Sequence, residues 1–330
     1  MNSPSGFPLP AAGKNRWPLE SLEQDGQLAP GLNLPKISVI TPSYNQGHYI
    51  EETIRSVLLQ NYPNLEYIII DGGSTDDTIP IIRRYEKWVS YWVSEPDKGQ
   101  SNAINKGLVM ATGEWVAWLN ADDVYLPGSF LKVAEAASPK NEPITWIVGT
   151  TIYTNSELIE TGRFVPSLYT SHGHDSHYEQ LGWINFVCTK QSGIALPQPS
   201  SFWKRSTVME AGGIDESLNY AMDHELYGRL AYHGYRPVLL KEALACFRKH
   251  ENQKTTKFPV AFWEEELTIA NNWVRMTNGT EKQALEKYAS WLQRKIKNYP
   301  YLSSYKSLLS WFKKIVKILF PSDKKNKGNY

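Results

Sequence analysis

One stretch decides how this 330-residue chain is interpreted: Trp115-Val116-Ala117-Trp118-Leu119-Asn120-Ala121-Asp122-Asp123. Its apolar first half has the length of a β-strand, and its end is polar with two adjacent acids. Open α/β sheets place their ligands at the carboxyl ends of the strands. Carboxylates at such a position suit a hard cation such as Mg²⁺ or Mn²⁺. The alternative is an acidic turn that caps the next helix, since such residues also favour turns and caps.

Three earlier apolar runs, at residues 37–41, 65–70 and 88–93, also lead into loops of small, polar and acidic residues. We expect Pro42 to stop the first strand, because proline cannot donate to a β ladder. The second run is almost continuously apolar, which is typical of a strand buried on both faces. A predicted helix follows each loop, and Ser101 is a suitable N-cap for the third helix. This alternation predicts an α/β fold with a mostly parallel sheet flanked by helices.

The second half of the chain is less regular but places further acids at a helix start. A helix is predicted over residues 222–233 with Asp223 and Glu225 in its first turn. Acids are favoured there by the helix dipole, so capping is one explanation for both residues. A strand is predicted over residues 238–247, and it ends shortly before His250.

Composition excludes several classes of protein. A hydrophobic content of 41% and a charged content of 21% are those of a globular protein. The formal net charge of +1 gives no global field for nucleic acid. Two cysteines far apart in the chain indicate no disulfide framework. With neither a signal peptide nor a transmembrane pattern visible, we expect a cytoplasmic protein.

The C-terminal part is helical in pattern and strongly amphipathic between residues 305 and 320. Leucine, isoleucine, tryptophan and phenylalanine share one face of that helix, and lysines share the other. More lysines follow up to residue 327. A basic amphipathic helix of this kind is typical of an anionic membrane surface. The alternative is a helix packed on the rest of the protein with its lysines in water.

The polar loops form five motifs in a fixed order: Pro42-Ser43-Tyr44-Asn45, Asp71-Gly72-Gly73-Ser74-Thr75-Asp76, Glu95-Pro96-Asp97-Lys98-Gly99-Gln100-Ser101, Asn120-Ala121-Asp122-Asp123 and Met222-Asp223-His224-Glu225. Together they resemble the inverting GT-A fold glycosyltransferases often called family 2. The resemblance covers about residues 36–255. Each motif alone is weak, whereas five in the right order are specific.

The resemblance implies a GT-A-like, Rossmann-like fold with a helical C-terminal extension. Residues 1–35 lie before the resemblance, and their proline, glycine and serine content predicts an extended arm, which Trp17 would pin to the body. Residues 36–130 would form the nucleotide-sugar-binding half, 131–260 the acceptor-side half, and 261–330 the helical extension.

The implied activity is transfer of a sugar from a nucleoside-diphosphate sugar to a glycan or lipid-linked acceptor with inversion. Cell-surface polysaccharide synthesis is the expected setting, with peripheral attachment to the inner face of the plasma membrane. A sugar-nucleotide nucleotidyltransferase is one alternative, although a Gly-rich basic loop is missing after the first strand. A non-catalytic nucleotide or sugar binder is the other.

By resemblance, the donor nucleotide would contact residues from four loops. Tyr44 would offer a ring face to the base, and Asp71 would accept hydrogen bonds from the base or ribose. A helix N-terminus suits phosphate. The remaining predicted donor contacts are Pro42, Asn45, Gly99, Ser101, Asn102, Asn120 and Ala121.

The metal and the base are also assigned by resemblance. Asp122 is the last acid of the family's D-x-D position and would hold Mg²⁺ or Mn²⁺ against the two phosphates. Asn120 replaces the first acid, so either the metal is bound more weakly or Asp123 shares it, and His250 is a candidate further ligand. Asp223 would be the base that deprotonates the acceptor hydroxyl, with Glu225 as the runner-up.

Overall fold

The computed structural model describes residues 7–11, 34–138, 144–166 and 196–319, with side chains described as far as residue 299. Within these residues nine strands form one sheet. They are β1 (Ile37–Ser43), β2 (Leu65–Asp71), β3 (Tyr91–Ser94), β4 (Trp115–Trp118), β5 (Val124–Tyr125), β6 (Trp146–Thr154), β7 (Glu160–Phe164), β8 (Ser201–Lys204) and β9 (Val238–Arg248). The helices are α1 (Ile50–Leu58), α2 (Thr78–Tyr85), α3 (Gln100–Met110), α4 (Ser129–Ala137), α5 (Arg205–Glu210), α6 (Met222–Tyr232), α7 (Lys254–Lys257), α8 (Pro259–Met276) and α9 (Gly279–Leu319).

The strand order is β3-β2-β1-β4-β8-β6-β9-β5, with β7 added beside β6. The first four strands are mutually parallel and are connected by helices, which confirms the predicted α/β class. The sheet continues through β8, which runs antiparallel to both β4 and β6. Strand β9 then runs parallel to β6, and its register is interrupted by irregularities. The carboxyl ends of β1, β2 and β4 therefore lie along one edge of the sheet.

Pro42 does not stop β1, contrary to the prediction. The strand continues to Ser43, and Pro42 pairs in register with Ile70 of β2. The carbonyl of Ile40 accepts the N–H of Leu119, on the side of β4. Residues two apart in a strand face the same side. The N–H that proline lacks would therefore point past the end of β4, where no ladder bond is lost.

The sheet separates two apolar cores because alternate residues of its strands face opposite sides. Val39 of β1 lies in one core, with Ile54 of α1 and Phe130 of α4. Its neighbour Ile40 lies in the other core, together with side chains of α3, α6, α8 and α9. That second group includes Ile104, Leu226, Trp273 and Leu285. Both C-terminal helices thus contribute to the main core.

The start of α3 differs from the prediction in its capping residue. The N-cap is Gly99, with φ of 109°, and the helix begins at Gln100 without a side-chain cap. A Cβ atom on Gly99 would lie 3.0 Å from Oδ1 of Asn219, so both the backbone angle and the space favour glycine. The hydroxyl of Ser101 instead donates to the carbonyl of Leu218.

The N-terminal segment 7–11 packs on α1 and α2. The ring of Phe7 contacts Tyr85 and Trp88 edge to face. The guanidinium of Arg55 lies over the Phe7 ring and donates to the carbonyl of Pro8 at 2.8 Å. The predicted anchor Trp17 lies outside the described residues.

The predicted C-terminal helix is part of α9, whose backbone runs unbroken from Gly279 to Leu319. Up to residue 299 it packs on α8 through Tyr288, Ala289 and Leu292. Side chains from residue 300 and the lysines at 324–327 lie outside the described part, and with them the predicted membrane face. Within the described ranges, the helices all lack a stretch of the length and apolar character needed to span a bilayer.

Candidate active site

Asp122 and His250 meet at the carboxyl edge of the sheet, although 128 positions separate them in the chain. Asp122 follows β4, and His250 follows β9 by two residues. Oδ2 of Asp122 lies 2.9 Å from Nε2 of His250. The imidazole also packs on the ring of Tyr49, with 4.4 Å between ring centroids. The loosely spaced pair predicted from sequence is therefore brought together by the fold.

The pair fits one side of a divalent cation site. The separation of 2.9 Å between Oδ2 of Asp122 and Nε2 of His250 is a hydrogen-bond distance, and both atoms are close enough together to bind one cation. A carboxylate oxygen and an imidazole nitrogen are acceptable ligands for Mn²⁺ and, less often, Mg²⁺. Within the described ranges no three His, Cys, Asp or Glu side chains are grouped to hold a metal.

Asp123 does not join this pair. Its side chain is fully buried, and Oδ1 accepts the backbone N–H of Arg248 at 2.9 Å. Burial raises the pKa of the Asp123 carboxyl well above its usual range, and the neighbouring Asp122 charge adds to this. The geometry therefore gives Asp123 the structural task of fixing the end of β9. That Asp123 shares a metal with Asp122 stays a prediction.

A buried ion pair lies next to the site, beside Tyr49, and was not predicted from the sequence. Nη1 of Arg248 lies 2.7 Å from Oε2 of Glu52, and these side chains are 1% and 3% exposed. The same guanidinium lies 4.8 Å from the centre of the Tyr49 ring. The pair thus holds the ring on which His250 packs. Since Glu52 lies in a short amphipathic helix, its sequence position indicates a surface residue, and only the pairing of β9 reveals its role.

Asn120 and Ala121 lie between the Asp122–His250 pair and the start of α3. Oδ1 of Asn120 accepts the side-chain amide of Gln100 at 2.7 Å. Its amide nitrogen lies 3.5 Å from Oε1 of Gln198, and Ala121 is buried. In this arrangement Asn120 joins the D-x-D position to α3.

The predicted nucleotide residues at the ends of β1 and β2 form one cluster. Tyr44 is 62% exposed, so its ring face is open to a planar ligand. Asn45, with φ of 53°, accepts the N–H of Thr75 at its side-chain oxygen. The buried Asp71 carboxylate accepts four hydrogen bonds, from Ser94 Oγ, Ser74 Oγ and the backbone N–H groups of Gly73 and Ser74. Asp71 therefore shapes the loop, and its predicted contact with the nucleotide stays a prediction.

Residues at the start of α3 fasten this helix to the turn before α6. The amide of Asn102 donates to Glu216 at 2.9 Å, and its oxygen accepts the N–H of Lys98. Ser101 is bonded to the same turn through Leu218. The side chains of Ser101 and Asn102 thus join the two halves of the protein. A ligand would meet the backbone N–H groups of this helix start rather than these side chains.

The two candidate bases have different surroundings. Glu225 makes a bidentate ion pair with Arg229, with a closest separation of 2.6 Å, and Arg229 also donates to the carbonyls of Ala211 and Gly213. Glu225 is therefore committed to the 211–213 turn. Asp223 accepts the backbone N–H of His224 at 3.0 Å and takes part in none of the ion pairs of the described ranges. Its carboxylate keeps acceptor capacity for a substrate hydroxyl.

Lys254, at the start of α7, connects the start of α3 with the segment before α6. Its role was not predicted from the sequence. Its ammonium donates to the carbonyl of Asn219 and lies 3.5 Å from Oε1 of Gln100. It also lies 4.9 Å from the centre of the Tyr220 ring. Burial lowers the pKa of Lys254, although the nearby Glu265 opposes this. This series of contacts, Asn120–Gln100–Lys254–Asn219, thus links the loop after β4 to the segment before Asp223.

Comparison with known proteins identifies sequence relatives of this chain. The sequence model described as "Glycosyl transferase family 2" matches residues 38–188. The uncharacterized glycosyltransferase MT1564 of Mycobacterium tuberculosis is 31% identical over 199 residues, which are 60% of this chain and 69% of the relative. TuaG of Bacillus subtilis, named for teichuronic acid biosynthesis, is 47% identical over 92 residues, which are 27% of this chain and 36% of TuaG.

Two solved structures have a similar fold. The chain of S. aureus TarS residues 1–349 in complex with UDP-GlcNAc aligns with a TM-score of 0.56 and 21% identity, over 79% of this chain and 73% of that one. The mannosyltransferase PcManGT from Pyrobaculum calidifontis, in complex with GDP-Man and Mn²⁺, gives a TM-score of 0.56 and 18% identity, over 90% and 85% of the two chains. At these identities they show the fold, which is the predicted GT-A-like α/β fold. The family model and the relative of 31% identity show that this chain belongs to glycosyl transferase family 2.

Proposed function

We propose that this glycosyltransferase moves a sugar from a nucleoside-diphosphate sugar to a glycan or lipid-linked acceptor with inversion at the anomeric carbon. The observation that carries the proposal is that two carboxylates, Asp122 and Asp223, have different surroundings. Asp122 is paired with His250 at the sheet edge, and Asp223 is half-buried at a helix start and takes part in no ion pair with the described residues. One suits a cation and the diphosphate, and the other suits a proton.

Asp122 and His250 would hold Mg²⁺ or Mn²⁺, which would offset charge on the departing nucleoside diphosphate. The bound Mn²⁺ of PcManGT supports this assignment, since that protein shares the fold. The first turn of α3 presents backbone N–H groups without a side-chain cap and would bind phosphate oxygens. Tyr44 would stack on the base, and Asn45 would hold the loop beneath it. The UDP-GlcNAc of TarS and the GDP-Man of PcManGT support a nucleotide-sugar donor.

Asp223 would act as the general base. The acceptor oxygen attacks the anomeric carbon as its proton passes to the Asp223 carboxylate, and the bond from that carbon to the phosphate oxygen breaks on the opposite face. This geometry inverts the configuration at the carbon. Positioned proton transfer of this kind typically contributes about 10²–10⁴-fold to the rate.

The acceptor would be a growing cell-surface polysaccharide or its lipid-linked precursor at the inner face of the plasma membrane. The similarity to TuaG supports the polysaccharide, and the lysine-rich pattern of residues 305–327 supports the membrane surface. Basic residues near an anionic bilayer contribute about 1 kcal/mol each.

The experiment that tests the proposal is a thermal-shift panel of nucleotide sugars with and without Mn²⁺, followed by NMR of the product. A ligand at 100 times its dissociation constant stabilises by about 2.7 kcal/mol. We expect one nucleoside-diphosphate sugar to stabilise the protein more with Mn²⁺ and to give a product of inverted anomeric configuration. A product of retained configuration would contradict the mechanism, and stabilisation without any turnover of acceptor would indicate a binding protein.

A further inference from the structure

The segment that leads into the Asp223 helix is held by a carboxylate from the C-terminal extension. Glu265 of α8 accepts the backbone N–H groups of Asn219, Tyr220 and Ala221 at 2.7, 2.7 and 2.9 Å. These are three consecutive residues directly before α6. A carboxylate has no donor of its own and can accept several such bonds at once. Hydrogen bonds to an ionised acceptor are about twice as strong as neutral ones.

The sequence at the start of α6 explains why an outside group is needed. The N-cap residue is Ala221, which has no side-chain oxygen, and no side-chain cap bond is made there. Alanine is among the least favourable N-cap residues, and replacing a good cap with it costs about 1 kcal/mol. A carboxylate near a helix N-terminus is also favoured by the helix dipole. Glu265 holds the N-cap residue and the two residues before it by their backbone N–H groups, a position that no side chain of α6 itself secures.

The next residue of α8 holds the other side of Asp223. Oε1 of Glu266 lies 2.9 Å from Nδ1 of His224, and Glu266 is buried. Its second oxygen accepts the hydroxyl of Tyr288, from α9, at 3.0 Å. The backbone before Asp223 and the side chain after it are thus both tied to the C-terminal helices.

We propose that Glu265 is a positioning residue, which fixes the start of α6 so that the Asp223 carboxylate meets the acceptor hydroxyl. This inference rests on the proposed function, because it acts through Asp223 as the base. A misplacement of about 1 Å from a mutation outside the chemistry can cost about 10²-fold in rate. The C-terminal extension then belongs to the catalytic machinery up to α8, in addition to any task of its final residues.

The test compares Glu265→Gln with Glu264→Gln in the full-length protein. Glutamine at position 265 keeps the length of the side chain but turns one oxygen into a donor, so at least one backbone N–H loses its acceptor. Glu264 is the preceding residue of α8, and its side chain is exposed. Asp223→Asn and the double variant Asp223→Asn/Glu265→Gln complete the set. Rates are divided by the folded fraction, measured by circular dichroism at the assay temperature, so that loss of folding cannot imitate loss of catalysis.

We expect Glu265→Gln to lower kcat by at least about tenfold with the dissociation constant of the donor nearly unchanged. Glu264→Gln should match the unmodified protein. The double variant should be no slower than Asp223→Asn, because residues that act as a unit are not additive. An unchanged kcat in Glu265→Gln, or a full further loss in the double variant, would overturn the inference. An active Asp223→Asn would instead overturn the assignment of the base in the proposed function.

Discussion

Glu66 at the amino edge of the parallel half-sheet and Asp122 beyond its carboxyl edge have different surroundings. At the amino edge, the carboxylate of Glu66 in β2 accepts four hydrogen bonds of 2.5 to 2.7 Å from Lys36, Ser38 and Thr112. At the carboxyl edge, the side-chain partner of Asp122 among the described residues is His250. Several buried polar atoms around this pair have no hydrogen-bond partner within those residues. These atoms include Oδ2 of Asp123 and Nδ1 of His250.

The difference indicates which of these two acids stabilises the fold and which is available to a ligand. Burial alone raises the pKa of the Glu66 carboxyl, but its bonds to Lys36, Ser38 and Thr112 outweigh burial and lower the pKa to about 2. Leaving a buried polar group unpaired costs roughly 1–3 kcal/mol. The carboxyl edge retains such groups together with Asp122, which is expected of a functional site.

The largest expected effect separates the two acids of α6. Asp223→Asn is nearly isosteric and cannot take the proton, so we expect turnover to fall by at least about 10²-fold. Donor binding, measured by calorimetry, should stay within a few-fold. Glu225→Gln should weaken the ion pair with Arg229 and lower the melting temperature, while kcat stays within a few-fold. The reverse result, an inactive Glu225→Gln and an active Asp223→Asn, would show that the base is Glu225 and not Asp223.

At the amino edge the expected effect is on stability and its dependence on pH. The folded pKa of Glu66 lies below its ordinary value of 4.5. Its contribution is therefore complete above that value and is lost as the pH falls towards about 2. At neutral pH it is on the order of 3 kcal/mol before allowance for partial solvation. Denaturant unfolding from pH 7 to pH 3 should show a smaller fall in the free energy of unfolding for Glu66→Gln than for the unmodified protein. Parallel curves for the two proteins would contradict this.

The smallest expected effect concerns the end of α9, which belongs to neither edge. We expect the full-length protein to co-sediment with anionic vesicles and to be released only partly by salt, because an apolar face adds a salt-resistant contribution. Deletion after Pro300 should abolish co-sedimentation and leave donor hydrolysis intact, since Tyr288, Ala289 and Leu292, through which α9 packs on α8, all precede that point. A truncated protein that loses donor binding would show that residues 305–320 pack on the catalytic body.

The sequence predicts what is local and periodic. Apolar runs and the residues after them predict the parallel strands. They also predict the position of Asp122 after β4 and that of Asp223 in the first turn of α6. The insertion of the antiparallel strand β8 between β4 and β6 could not be predicted, because periodicity does not specify the pairing partner. The stop expected at Pro42 was wrong because it depended on where the neighbouring strand β4 ends.

Long-range contacts account for the parts of the site that were missed. Asp122 and His250 are brought together by a strand that pairs far along the chain, and His250 was identified only by resemblance. Three consecutive glutamates, residues 264–266, have the sequence pattern of a solvated helix face. Two of them are instead bonded to the segment before Asp223 and to His224. A run of acids on a helix gives no signal that separates these cases.

The most direct test of the account is the Mn²⁺ dependence of nucleotide binding in Asp122→Ala, with Glu66→Gln as the matched acid of the opposite edge. Calorimetric titration of the nucleoside diphosphate with and without Mn²⁺ measures it in both variants. We predict that Asp122→Ala remains folded but no longer binds the nucleotide more tightly with Mn²⁺, and that Glu66→Gln retains the full Mn²⁺ effect. An undiminished Mn²⁺ effect in Asp122→Ala would contradict the assignment of the carboxyl edge as the metal and diphosphate site.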